Sequence, residues 1–306
     1  MTIDRSKFAG ECVDATVYCG IFSYLHFLVA AAQLRSGISD TNSGEQIGPF
    51  RIIQKDWDAY RSDADFEFNY LTSDINIWEM QPHIAALMVY RAQQRLFNQF
   101  NHNPSAVELF QDIWPQGLPG SLVNDLTQAL ASTESLLVPA AKSYFGQDIP
   151  VGATPDPAVP PQTPPSGSVN FRRVPNGNEG KALAQKILDK FGQSGFASHQ
   201  QIAALANAIA ESGLNPNAHA ARGEDSFGLF QLNRKGGLGA GHSVDELVNP
   251  DSNIAIVIKA AQQSKAFTRA ASIEDAVAAF VKDVERPSDI LGQTKARINI
   301  AHKLVV

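Results

Sequence analysis

Residues 151 to 168, VGATPDPAVPPQTPPSGS, carry six prolines and almost no large apolar side chain. Proline fixes φ and donates no backbone hydrogen bond, so such a run reads as an extended, semi-rigid linker. It divides the 306-residue chain into a first half, 1–147, and a second half, 171–306, with the linker taken as 148–170. Each half has the length of an ordinary domain and can bury a core of its own.

With 44% hydrophobic residues the chain reads as globular. Its net charge of -6, 18% charged residues and lack of a Lys/Arg cluster argue against nucleic acid as a partner, because that affinity comes from neutralising phosphates. The two cysteines, Cys12 and Cys19, would stand roughly 10 Å apart along a helix, too far for a disulfide, so both are expected as free core thiols. This fits folding in a reducing cytosol without requiring it. MTIDRSKFAGECVDATVYCG has no positively charged region leading into an apolar core and does not read as a secretory signal. IFSYLHFLVAAAQL is apolar but shorter than the ~20 residues that span a bilayer, so a buried helix is expected rather than a membrane span. A chain of this kind that acts outside the cytoplasm leaves by lysis, by a dedicated apparatus or within a particle.

Both halves read as mainly helical. Ser198 with Gln201 suggests a capping box, and Ile202, Leu205 and Ile209 follow at helical spacing until Gly213. Ser243 with Glu246 marks another start, and Ile273, Ala276, Val277, Phe280, Val281 and Val284 share one helical face ahead of Pro287. No segment reads as a strand.

The halves also resemble each other. FLVAAAQLRSGIS (27–39) aligns with ALANAIAESGLN (204–215), GEQIGPFRI (44–52) with EDSFGLFQL (224–232), and PHIAALMVYRAQQRLF with SNIAIVIKAAQQSKAF. The order helix, Ser-Gly, Gly-x-Phe, helix thus occurs twice, with Arg35 where the second half has Glu211. Ala-rich helices resemble one another easily, so chance similarity is the competing explanation.

Glu211 is the residue with chemical promise. A carboxylic acid that donates a proton near neutrality must lose solvent or sit near negative charge. A helix C-terminus disfavours the carboxylate, and Phe227, Leu229 and Phe230 are placed to return as an apolar wall. Helical rotation directs Glu211 toward the face of Gln200, Ala204, Asn207 and Ala208, which is expected to line a cleft. A solvated helix-end glutamate is the bland alternative.

The surrounding motifs decide between these. ESGLNP followed by SFGLFQLN resembles the signature of the lysozyme-like superfamily, especially its lytic transglycosylase and phage tail lysozyme domains, and FVKDVERPSD (280–289) is similar to the E-R-P tail of phage tail lysozymes. The resemblance covers most of residues 180–290. Together with the internal repeat, it implies a mainly α fold of two lysozyme-like helical domains joined by the Pro-rich linker, the first of them degenerate. It also implies cleavage of the β-1,4 bond between N-acetylmuramic acid and N-acetylglucosamine in peptidoglycan, with Glu211 as general acid. Ser226, Gly228, Gln231 and Asn233 match motif positions that, by resemblance, position the glycan, with the backbone at Gly228 allowing close approach. A loop amide and a turn hydroxyl are equally good readings of Gln231 and Ser226.

An inverting hydrolase also needs a base, its carboxyl roughly 6.5–9.5 Å from the acid, whereas a lytic transglycosylase uses the substrate's own hydroxyl. Glu224 and Asp225 are the candidates for that base and read at least as well as solvated loop acids. Glu285 of the ERP tail reads as structural, paired with an arginine. No counterpart of the Tyr-Asn motif of many lytic transglycosylases is visible, which favours a hydrolytic muramidase over 1,6-anhydro products. The seven histidines include no H-E-x-x-H, and no Cys/His pair has zinc-ligand spacing, so no metal or other cofactor is expected. KGGLGAG (235–241) lacks the strand and G-K-[ST] ending of a phosphate loop and reads as a flexible cleft edge.

In the first half Arg35 cannot donate a proton as an acid catalyst. That half is expected to bind or dock, with Trp57, Trp78 and Tyr60 as either stacking surfaces or core, and with Glu45 and Glu79 leaving room for activity of its own. Two function classes follow: a muramidase acting on peptidoglycan glycan strands from a phage tail or baseplate, and a non-catalytic wall-binding or structural component of a phage-like particle. The expected location is the virion after synthesis in the host cytoplasm, with release at lysis or periplasmic action as the alternative.

Overall fold

The computed structural model describes residues 3–63, 66, 74–115, 122–152, 169–220 and 225–305. The chain forms two compact units, 1–161 and 162–306, both mainly helical.

The first unit contains α1 (Arg5–Cys19), α2 (Leu25–Ser36), α3 (Gln54–Arg61), α4 (Gln81–Phe100), α5 (Ala106–Ile113), α6 (Leu122–Ser132) and α7 (Glu134–Phe145). The Asp4 side chain accepts from the backbone N–H of Lys7 to start α1, and Gly20 ends it in the left-handed conformation. α1 packs against α4 and α7, and α2 against α6. Cys12 and Cys19 are both buried and free in α1. The apolar run 21–34 becomes a 3₁₀ turn and then α2, buried from Leu25 to Ala32. Among the described residues no helix is long and apolar enough to cross a membrane. Trp57 is fully buried, so its ring is core rather than a stacking surface.

The second unit contains α8 (Gly177–Gln193), α9 (Ser198–Ser212), α10 (Val244–Val248), α11 (Pro250–Gln263), α12 (Lys265–Arg269), α13 (Ile273–Ala279) and α14 (Ile290–Leu304). A π-helical turn, Phe280–Glu285, follows α13 directly. α9 is the central helix, packed by α8, α13 and α14. Phe191, Phe267 and Phe280 are fully buried beside it, with ring centroids of Phe267 and Phe280 5.4 Å apart. Truncating one such ring to Ala costs about 3–5 kcal/mol, so this aromatic cluster anchors the helices that carry the site.

Several local expectations change. The cap of α9 is Ala197, whose N–H donates to Gln200 Oε1 at 2.8 Å, while Gln201 Nε2 turns back to the carbonyl of Phe196. Ser198 is already helical. The capping box of Ser243 and Glu246 forms as expected. The face of Gln200, Ala204, Asn207 and Ala208 does not line a cleft: all four are buried, with Gln200 donating to the carbonyl of Phe267 and Asn207 to that of Ala203. A helix enclosed on several sides hides even its polar face when each amide finds a backbone acceptor. A short antiparallel pair also forms, β1 (Ser226–Phe227) with β2 (Leu232–Asn233), because a tight turn needs only two residues on either side to close a ladder.

Ile149 is buried and the carbonyl of Val151 lies 3.3 Å from His26 Nε2, which ties residues up to 151 to the first unit. Val169 bridges Val305, and Asn170 N–H donates to the carbonyl of Leu304 at 2.7 Å, which ties 169–170 to the second. Most of the Pro-rich run, 153–168, lies outside the described residues.

Candidate active site

The site is built at the C-terminal end of α9. Gly213 and Leu214 both adopt left-handed φ, 59° and 61°, and turn the chain sharply after Ser212. Ser212 Oγ donates to the carbonyl of Ala208 at 3.1 Å and to that of Leu229 at 2.8 Å, clamping the helix end to the turn between β1 and β2. That turn is held from the other side by Asn253 of α11. Its Oδ1 accepts from Phe230 N–H at 3.1 Å, and its Nδ2 donates to the carbonyls of Leu247 at 2.8 Å and Phe227 at 3.3 Å. Asn253 is completely buried with these groups satisfied, so it fixes the corner in a single arrangement.

Glu211 lies in the last turn of α9 with its side chain 25% exposed, open enough to meet a ligand. Phe227, Leu229 and Phe230 are all buried on the turn clamped to this helix end. Leu229 and Phe230 are core residues, and Phe227 stacks on His219 with centroids 4.2 Å apart. The Glu211 carboxylate accepts a hydrogen bond from Nη2 of Arg297, a residue of α14 that is 3% exposed. The same Nη2 stands 3.1 Å from Oε2 of Glu285 in the π turn. Glu285 therefore pairs with an arginine, as the ERP tail leads one to expect. Burial, opposed by Arg297 and reinforced by Glu211, pushes the Glu285 carboxyl up to about 8.

The remaining candidates fall into place unevenly. Glu224 lies outside the described residues. Asp225 is engaged by Arg234, whose Nε is 3.0 Å from Oδ2. Ser226 is buried in β1, paired in register with Asn233. Asn233 Oδ1 accepts from Lys235 N–H at 2.8 Å, so it shapes the turn after β2. Gln231 has φ 45° and its Nε2 donates to the carbonyls of Ala218 and Gly228, at 3.0 and 2.9 Å. Gly228 has φ 80°, and a Cβ there would lie 2.0 Å from the carbonyl oxygen of Leu247 and 2.5 Å from Asn253 Nδ2. The close approach it permits in this structure is that of the Asn253 clamp.

Arg297 is not singled out by any motif, yet it carries a signal. In α14 the buried positions are Thr294, Arg297, Ile298, Ala301 and Leu304, so a permanently charged residue sits within the apolar stripe, where it must find carboxylates.

The first unit contains a corresponding set of contacts. Ser36 Oγ donates to the carbonyls of Ala32 and Pro49 at 3.2 and 2.9 Å, and Gly37 and Ile38 have φ 69° and 59°. Gln81 Oε1 accepts from Phe50 N–H, and its Nε2 donates to the carbonyl of Ile75. Gly48 and Arg51 have positive φ, as Gly228 and Gln231 do. Arg35 donates from Nε to the carbonyl of Phe50 at 2.7 Å and from Nη2 to that of Arg51 at 3.2 Å. Its guanidinium lies 5.0 Å from the centroid of Trp114. Burial, with Arg51 nearby, lowers Arg35 to about 10, which still leaves it cationic at neutral pH.

No curated protein and no solved structure matches the chain. Residues 182–305 match the family model described as phage tail lysozyme. The match takes in α9 with Glu211, the clamped turn, the π turn with Glu285 and α14 with Arg297. The second unit thus carries a mainly α, lysozyme-like domain that is similar to the phage tail lysozyme family over residues 182–305.

Proposed function

We propose that the second unit cleaves peptidoglycan glycan strands as a muramidase, hydrolysing the N-acetylmuramic acid to N-acetylglucosamine β-1,4 bond with Glu211 as general acid. The observation that carries this reading is the pairing of a family match with a partly exposed helix-end carboxyl held in a fixed corner. Protonation of the glycosidic oxygen by Glu211 lets the sugar leave with oxocarbenium character. Glu224 and Asp225 are the candidate bases for activating water. Ser226, Gly228, Gln231 and Asn233 support the cleft by shaping the turn, through contacts made within the protein. The engagement of Asp225 by Arg234 favours keeping a second reading, a lytic transglycosylase that needs no base and leaves 1,6-anhydro ends.

The first unit is a lysozyme-like copy without the acid, serving to bind or dock. The matching Ser36 and Ser212 clamps and the matching Gln81 and Asn253 braces support this. The setting is a phage tail or baseplate that opens the wall locally, so the partners are glycan strands and tail proteins.

The test is release of soluble muropeptides from purified sacculi by the full chain and by Glu211→Gln, with products read by mass spectrometry. A loss of about 10²–10⁴-fold is expected for the variant, the range for removing a general acid. Reducing ends indicate hydrolysis and 1,6-anhydro ends transglycosylation. A wild-type chain that binds sacculi and releases nothing sinks the enzymatic reading in favour of a wall-binding protein.

A further inference from the structure

The Glu211–Arg297–Glu285 cluster presents a difficulty for a general acid. An arginine bound to a carboxylate favours its ionised form, yet Glu211 must hold a proton when the glycan arrives. The geometry supplies a second carboxyl on the same guanidinium. Glu285 Oε2 is 3.1 Å from the Nη2 that also serves Glu211.

We propose that Glu285 is a positioning residue for the Glu211 proton: by competing for Arg297 it lets the cluster keep one proton that Glu211 can carry near neutral pH. The inference rests on the hydrolase reading above. One cation facing two carboxyls in a poorly solvated site is neutral when a single proton is retained, and buried charge is strongly disfavoured. Two coupled carboxyls lose their protons in two macroscopic steps. Between those steps one proton is shared, and the carboxyl without the arginine holds it. In the free protein burial favours Glu285 as that holder. A glycan settling over Glu211 displaces its remaining water and shifts the balance: as that water leaves, Glu211 takes a proton from solvent, Glu285 gives one back to solvent, and Arg297 passes to Glu285. Glu211 then gives its proton to the glycosidic oxygen.

Arg297 of α14 and Glu211 of α9 are the charged groups that act on the Glu285 carboxyl. The packed elements carry further titratable groups. Glu274 of α13 meets His302 at 2.6 Å, Asp283 accepts from Ser264 Oγ, Arg286 Nε donates to the carbonyl of Asp283, and His199 Nε2 is 2.8 Å from the carbonyl of Ala270. Asp275 is buried at the start of α13, its N–H donating to Ser272 Oγ. Asp251 of α11 binds Lys186, while Lys259 and Lys265 are exposed and Lys282, Lys295 and Arg269 partly so.

The test is the pH dependence of kcat/KM for release from sacculi by the full chain, wild type and Glu285→Gln. The variant removes the carboxyl that competes with Glu211 for Arg297, so its alkaline limb should move down by at least one pH unit, a tenfold or greater loss above the limb. An unmoved limb overturns the proposal, even if kcat falls uniformly, because a uniform fall is what a structural role produces. Should Glu285→Gln fail to fold, carbon-13 NMR titration of the glutamate carboxyls in wild type and Glu211→Gln decides. The Glu285 midpoint should fall when Glu211 loses its charge and Arg297 passes to Glu285; an unchanged midpoint overturns the coupling. No release by the wild type at any pH overturns the hydrolase reading and the role of Glu285 with it, whereas release with an unmoved limb overturns the role of Glu285 alone.

Discussion

Arg297 joins two glutamates that are distant in the chain: its Nη2 binds the carboxylate of Glu211 at the end of α9 and stands 3.1 Å from Glu285 in the π turn. With Arg297 only 3% exposed, this is a buried charge whose partners come from two separate elements. It ties the end of the central helix to the C-terminal helix at the site itself.

Removing the arginine should therefore destabilise the second unit. Breaking a buried pair from one side costs about 3–5 kcal/mol because the remaining charge is left uncompensated, and Arg297→Met is expected in that range at neutral pH. The three tryptophans, Trp57, Trp78 and Trp114, all lie in the first unit. Tryptophan fluorescence then follows the first unit, and the far-ultraviolet circular dichroism transition that it does not share reports on the second. A variant whose two transitions both match wild type contradicts the prediction.

The stability of the second unit should also depend on pH through Glu285. Its carboxyl ionises near the usual glutamate value of about 4.3 when unfolded and at about 8 when folded. The folded state thus binds the extra proton between these values, and stability falls as pH rises. The contribution is fully present below about pH 4 and lost above about pH 8, and each pH unit crossed between them removes at most about 1.4 kcal/mol. Melting temperatures from pH 4.5 to 8.5 should fall less steeply in Glu285→Gln than in wild type; parallel curves count against it.

Gly228 and Gly48 occupy corresponding turns but should tolerate alanine differently. A Cβ at Gly228 meets the backbone oxygen of Leu247 at 2.0 Å, while one at Gly48 meets only the Gln81 side chain, nearest at 2.2 Å. Both have φ above zero, a strain of about 1–3 kcal/mol for a non-glycine residue. Gly228→Ala should cost more than Gly48→Ala, because a backbone carbonyl cannot swing aside and the Asn253 clamp is displaced as well. Paired denaturant titrations check the order.

Arg35→Glu should not create an active site in the first unit. The substitution replaces a donor to the carbonyls of Phe50 and Arg51 with an acceptor and removes the contact with Trp114. A loss of about 1–3 kcal/mol is expected from the unsatisfied carbonyls. Placed in a Glu211→Gln chain, Arg35→Glu should release no muropeptides from sacculi, and any recovered release contradicts this.

Local signals carried much of this protein. The Pro-rich run marked the break between two units, the apolar periodicities marked the helices, and the Ser-Gly pair after Glu211 marked the end of α9. The Gly-x-Phe pattern marked a left-handed turn in each half, because such a turn is a requirement of a few adjacent residues. What only the tertiary structure decided was the environment of each polar group. The Gln200–Ala208 face reads as polar and small, yet it is buried, since whether an amide faces solvent depends on which helices enclose it. Glu211 reads as an acid against an apolar wall, and nothing local announces that Arg297, 86 residues away, binds it. Charge pairing acts through space and is set by packing, so the sequence determined which helices form while their assembly decided which charges meet.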